Sequence, residues 1–111
     1  MLRESQTAVI ARNETWTGAS ASEPFEAGWA NEAIFFVRAL KAGTGQACQA
    51  HVEISPDGMR WAREGGVVDL PAQEDDGVAF VRVAHFGNWL RLAADLPHDA
   101  SRTLLVTLHL K

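Results

Sequence analysis

Four histidines, His51, His85, His98 and His109, are the side chains best suited to proton transfer or metal ligation in this 111-residue chain. None forms a His-x-His or His-Glu-x-x-His pair, and the single cysteine, Cys48, has no second thiol beside it. A zinc site needs three or four converging ligands, which here would have to come from separate strands. Scattered surface histidines are the expectation, and no metal is assigned. Glu74-Asp75-Asp76 places three acids in a row. Calcium loops space their oxygens and close on a terminal Glu, whereas adjacent acids mark a solvated turn. Glycoside hydrolysis would need two carboxyls facing each other in a cleft, and the one acid in apolar sequence surroundings, Glu53, is turned outward by its strand phase. Cys48 as a nucleophile would need a histidine beside it, yet His51 projects from the opposite strand face, so Cys48 reads as a small buried hydrophobe. The chain has no Gly-x-Ser-x-Gly, no Walker loop and no dinucleotide fingerprint. The expectation is a protein that is not an enzyme and carries no cofactor.

The totals point the same way. A chain of 111 residues suits one domain, 1–111, and the 47% hydrophobic and 22% charged shares belong to an ordinary globular protein, not a disordered one. The net charge is −4, and the ten basic residues are scattered singly. Without a basic stripe to follow phosphates, nucleic acid is not expected as a partner. One cysteine excludes an internal disulfide. The start, MLRESQTAV, lacks an apolar signal core and no run approaches a membrane span, so a soluble protein made in the cytosol is expected, with no membrane partner.

The stretch that organises the rest is Gln46 to Trp61. Cys48, Ala50, Val52 and Ile54 alternate with Gln49, His51 and Glu53, the period of two of a strand with one buried face. Ser55-Pro56-Asp57-Gly58 is then a turn: proline presets φ, aspartate bonds the backbone ahead of it, and glycine accepts positive φ. Trp61 follows, placed to cap what the strand buries. Together they read as the central hairpin of an antiparallel sandwich.

The remaining elements follow in order. Residues 1–6 are polar and read as a flexible arm. Thr7 to Arg12 is a first strand, Asn13-Glu14 a turn, and Glu14 to Gly18 a short strand around Trp16. Ala19 to Asn31 is a loop with an extended piece near Phe25 and Trp29 at its far end. Glu32 to Ala42 mixes helix formers with Ile-Phe-Phe-Val; the strand reading is preferred over helix because Gly43-Thr44-Gly45 follows as a turn. It puts Phe35, Val37 and Ala39 on one face and Ile34, Phe36 and Leu40 on the other, so both faces need cover. Met59 to Ala62 starts the return strand, Gly65-Gly66 interrupts it as a bulge or tight loop, and Val67 to Leu70 is a short strand. Pro71 to Gly77 is an acidic loop. Val78 to Ala84 is a second strand apolar on both faces, with Arg82 its exception, and Trp89 to Ala93 turns Leu90 and Leu92 inward. In Arg102 to Lys111, Leu104, Val106, Leu108 and Leu110 face in. Thr103, Thr107, His109 and Lys111 face out, and the strand is expected inside a sheet. About eight short strands without a helix predict an all-β antiparallel β-sandwich or jelly roll.

The four tryptophans need separate weighing. Trp61 and Trp89 read as hairpin caps. Trp16 and Trp29 flank the least regular segment and are the candidates for contact with a protein partner or a glycan.

The run VEISPDGMRW, then VAFVRVAHFGNWLRLAADL and TLLVTLHLK, resembles small β-sandwich proteins encoded among phage and prophage structural genes. Val52, Ser55, Asp57, Gly58 and Trp61 match their hairpin, and Phe86, Gly87, Leu90, Arg91 and Leu92 match a later segment. The resemblance covers roughly residues 32 to 111. The Ser-x-Asp-Gly-x-x-Trp turn also resembles that of discoidin-like sandwiches, which bind glycans or lipid headgroups, and the Asp-box hairpin of propellers, so it is mainly a folding device. The phage resemblance implies a virion-associated decoration, tail or head-fibre component that acts by self-association, as a homo-oligomer docked on a larger capsid or tail assembly. A carbohydrate-binding module is the alternative.

Overall fold

The computed structural model describes residues 5–111. Among these residues nine strands form two antiparallel sheets packed face to face, with one short 3-10 turn at Glu74–Asp76. The strands are β1 (Gln6–Trp16), β2 (Ala19–Ala21), β3 (Phe25–Glu26), β4 (Glu32–Ala39), β5 (Gln49–Ser55), β6 (Ala62–Asp69), β7 (Val78–Ala84), β8 (Trp89–Asp95) and β9 (Arg102–Leu110). The first sheet runs β1-β9-β4-β7; the second runs β2-β8-β5-β6, with β3 also pairing on β8. The all-β sandwich expected from the alternation is the architecture found.

The core is what the alternation aims inward. Leu104, Val106, Leu108 and Leu110 of β9 meet Phe35 and Val37 of β4, Leu90 and Leu92 of β8, and Val52 of β5, all fully buried. β9 lies between β1 and β4, so all its backbone groups can find ladder partners, as a strand in a sheet interior requires. β4 is a strand, not a helix: its register with β7 runs unbroken from Glu32↔Ala84 to Arg38↔Val78. β5 is likewise interior, between β8 and β6.

Several local expectations change. Gln6 opens β1 opposite Leu110, so the arm expected over 1–6 does not include it; Ser5 is exposed outside the strand, and residues 1–4 of that expectation lie outside the described residues. Asn13-Glu14 is no turn: β1 continues through it, with register shifts between Val9 and Ala11 and between Ala11 and Glu14, and Asn13 takes φ 53°. A bulge absorbs there what a turn was expected to do. At Gly65-Gly66 the bulge forms, as one of the two readings had it, but without breaking the strand: β6 stays continuous, its register shifting where His51↔Val67 gives way to Glu53↔Arg63. The loop after Gly18 holds two short strands, β2 and β3, because β8 offers both an edge. Thr103, expected outward, is buried, and its hydroxyl meets that of Thr15 at 2.9 Å.

Candidate functional site

The Ser55–Gly58 turn shows why its residue types occur together. Ser55 is buried, and its Oγ accepts the backbone N–H groups of Asp57 (3.2 Å) and Gly58 (2.8 Å). Asp57 Oδ1 accepts the N–H groups of Met59 and Arg60, both at 2.9 Å, and the Ser55 hydroxyl donates to it at 3.1 Å. Gly58 supplies φ 78°, and a Cβ there would stand 3.1 Å from the Trp89 ring. These bonds close within the turn and leave nothing aimed at a ligand. The bonds from the Arg60 and Met59 backbones hold the Asp57 carboxyl at about 2, below its ordinary 3.8. A carboxylate depressed in the folded state stabilises above its unfolded value and loses that contribution as pH falls through the folded one. Thermal midpoints measured between pH 5 and 2 should therefore fall more steeply in the native protein than in Asp57→Asn, which has no charge to lose.

Trp61 does not cap the core. It is half-buried on the outer face of the second sheet, where the Arg91 guanidinium carbon lies 4.2 Å from its ring centroid. Arg91 in turn donates through Nε to Glu53 Oε1 at 2.7 Å, and the His51 Nε2–H donates to Glu53 Oε2 at 3.0 Å. The pairings Glu53↔Arg91 on β5–β8 and Glu53↔Arg63 on β5–β6 bring these groups together. Burial pushes the Glu53 carboxyl up, but the hydrogen bonds and charges of Arg91 and His51 together outweigh it and leave it below 4.5. A hollow of about 360 Å³ beside them is floored by Ala19, Ala21 and Ala93. The network is an acid already answered by its two neighbours. Strand phase in the sequence already put His51 and Glu53 on one outward face; the register supplied Arg91.

The two tryptophans singled out for contact part ways. Trp16 is 2% exposed and belongs to the core, its Nε1–H donating to Glu14 Oε1 at 3.3 Å. A buried ring offers no surface, so the contact expected of Trp16 is corrected: β1 runs on past the expected turn and sets Trp16 opposite the buried Arg102 of β9. Trp29 is 43% exposed, on a turn closed by the Ala30 N–H to the Ala27 carbonyl at 3.0 Å. Trp89 packs against the Ser55–Gly58 turn, as a cap should.

The outer face of the first sheet is different in kind. Its facing residues are Ile34, Phe36 and Arg38 of β4, Val78, Phe80 and Arg82 of β7, and Leu105, Thr107 and His109 of β9. Phe80 is 48% and Val78 58% exposed. Phe36 and Phe80, directly opposite, hold their ring centroids 6.3 Å apart, tilted by 44°, and the Arg82 guanidinium carbon lies 4.9 Å over the Phe80 ring. Among the described residues, no loop covers the exposed Phe80 ring or the half-buried Phe36 beside it. At one end the face dips into a hollow of about 440 Å³ lined by Ile34, Arg82, His109 and the Glu32–Lys111 pair. Among the described residues no group of three or more His, Cys, Asp or Glu side chains is placed to hold a metal ion, and no helix is long and apolar enough to cross a membrane.

The sequence matches no protein-family model and no curated protein. Among solved structures, the chain is similar to the SPBc2 prophage-derived protein YomS, with a TM-score of 0.62 and 9% identity over 99% of this chain and 96% of that one. It is also similar to the PBSX exported protein XepA, with a TM-score of 0.56 and 11% identity over 95% of this chain but only 34% of XepA. A family 11 carbohydrate-binding module from Clostridium thermocellum aligns at a TM-score of 0.44 and 6% identity over 96% of this chain and 82% of that one, too loosely to weigh in an argument. At such identities the likeness to YomS and XepA establishes the fold, an antiparallel β-sandwich that this chain shares along nearly its whole length.

Proposed function

We propose that this chain is a non-enzymatic structural protein of a phage-type particle, which associates with copies of itself and docks on a larger assembly of capsid or tail. The observation that carries the reading is the outer face of β4 and β7, where Phe36, Phe80 and Val78 form an apolar surface that none of the described residues covers. Apolar area of that kind, rimmed by Arg38, Arg82 and Thr107, is the usual mark of a protein contact. The prophage origin of YomS and the PBSX origin of XepA support the phage setting. The polar network on the opposite sheet supports the non-enzymatic part, since Glu53 is already bonded to Arg91 and His51.

Light scattering over a concentration series tests the reading: an oligomer is expected, and a strict monomer at high concentration counts against it. A second reading, a carbohydrate-binding module, rests on the exposed Trp29 ring. It expects tryptophan fluorescence to change on adding glycan and the change to vanish in Trp29→Ala. A silent glycan array removes it.

A further inference from the structure

The four borders of the two sheets are not alike. β1 is broken by two register shifts, β6 by one at Gly65-Gly66, and β2 and β3 are three and two residues long. Each carries one of the devices by which natural edges avoid pairing with another chain. β7 carries only the single charge of Arg82: its seven residues, VAFVRVA, contain no proline, lysine or glycine, and its register with β4 is unbroken. It is also where the exposed apolar side chains gather. Val78 and Phe80, the most exposed apolar side chains of the face, stand on this border strand, whereas β9, in the middle of the same face, presents Leu105, Thr107 and His109.

Resting on the self-association reading, we infer that β7 is the contact, and that a second copy of this chain adds its own β7 antiparallel across a two-fold axis at Val81, joining two four-stranded sheets into one of eight. The strand is self-complementary in that register. All its residues pair, Val78 with the partner's Ala84 and Phe80 with the partner's Arg82. Each Arg82 keeps a phenyl face beside it, repeating between copies the contact it makes at 4.9 Å within the chain. A two-fold at Arg82 would instead set guanidinium against guanidinium, which cross-strand pairs disfavour, and would leave one end of each strand unpaired. An interface built on one edge is small, so the dimer is expected at roughly tens to hundreds of micromolar.

The test is sedimentation of the full chain and two variants at an exposed position, with thermal melting to show that each folds. Phe80→Arg places two arginines opposite one another at each end of the axis and should weaken the dimer by roughly tenfold or more. Phe80→Glu places a carboxylate opposite the partner's Arg82 and should keep the dimer within about fivefold of the native protein. Face-to-face stacking of the apolar surface would lose the dimer in both variants. A native dimer with both variants monomeric, or with neither weakened, overturns pairing through β7 but leaves self-association standing. A native protein that stays monomeric, leaving the edge to a strand of some other protein, overturns both.

Discussion

Replacing Arg102 with alanine should lower stability by about 3 kcal/mol, and replacing it with methionine by about 2 kcal/mol. Arg102 is 2% exposed at the head of β9, one of the largest side chains wholly inside the fold. Its Nη1 donates to the carbonyls of Thr44 (2.6 Å) and Ser101 (2.8 Å), and its Nη2 to that of Gln46 (2.9 Å). It therefore ties the Thr44–Gln46 loop to the start of the strand that runs through the centre of the first sheet. Both variants lose those bonds, and alanine also leaves a hole. Methionine keeps most of the volume and removes a buried guanidinium whose Nε has no partner, which returns part of the loss. The order expected in thermal unfolding is native, then Met, then Ala, with Ala lower in Tm by roughly 10–20 °C. A Met variant less stable than Ala would mean that the site, lined by the carbonyls Arg102 bonds, rejects an apolar chain of that length more than it suffers from the hole.

Gly45→Ala should be comparably severe, at roughly 2–4 kcal/mol. Gly45 holds φ +81°, and a Cβ there would stand 2.5 Å from Ala100 Cα and 2.8 Å from the Asp99 carbonyl oxygen. These are backbone atoms, so no rotamer change relieves the clash; the loop has to lift. Lifting it strains the Thr44–Ser101 bridge and the carbonyls that Arg102 holds. The effect should be read as a fall in Tm, and combining Gly45→Ala with Arg102→Met should cost less than the sum, because both loosen the same loop.

These two sites show where reading the chain as text stops. The Ser55–Gly58 turn was legible because every bond that makes it lies within a few residues, as was the inward row of β9 from Leu104 to Leu110. Arg102 was legible in part: it shares their parity, and the phase alone pointed it inward, against the habit of placing arginines outside. The apolar strand faces at Phe36 and Phe80 were legible as surfaces in need of cover.

What the sequence by itself determined is local: period-two alternation fixes which side of a strand is apolar, and a turn carries its own hydrogen bonds. What only the tertiary structure decided is pairing between distant strands. Trp16 is buried because β1 runs on past Asn13 and sets it opposite the buried Arg102 of β9, a pairing between strands far apart in the chain that no local pattern announces. Glu53 acquired Arg91, and Trp61 its cation, because register sets β8 beside β5 across 38 residues of chain. β7 became a border because sheet order, which depends on every long-range pairing together, left it with a ladder partner on one side alone.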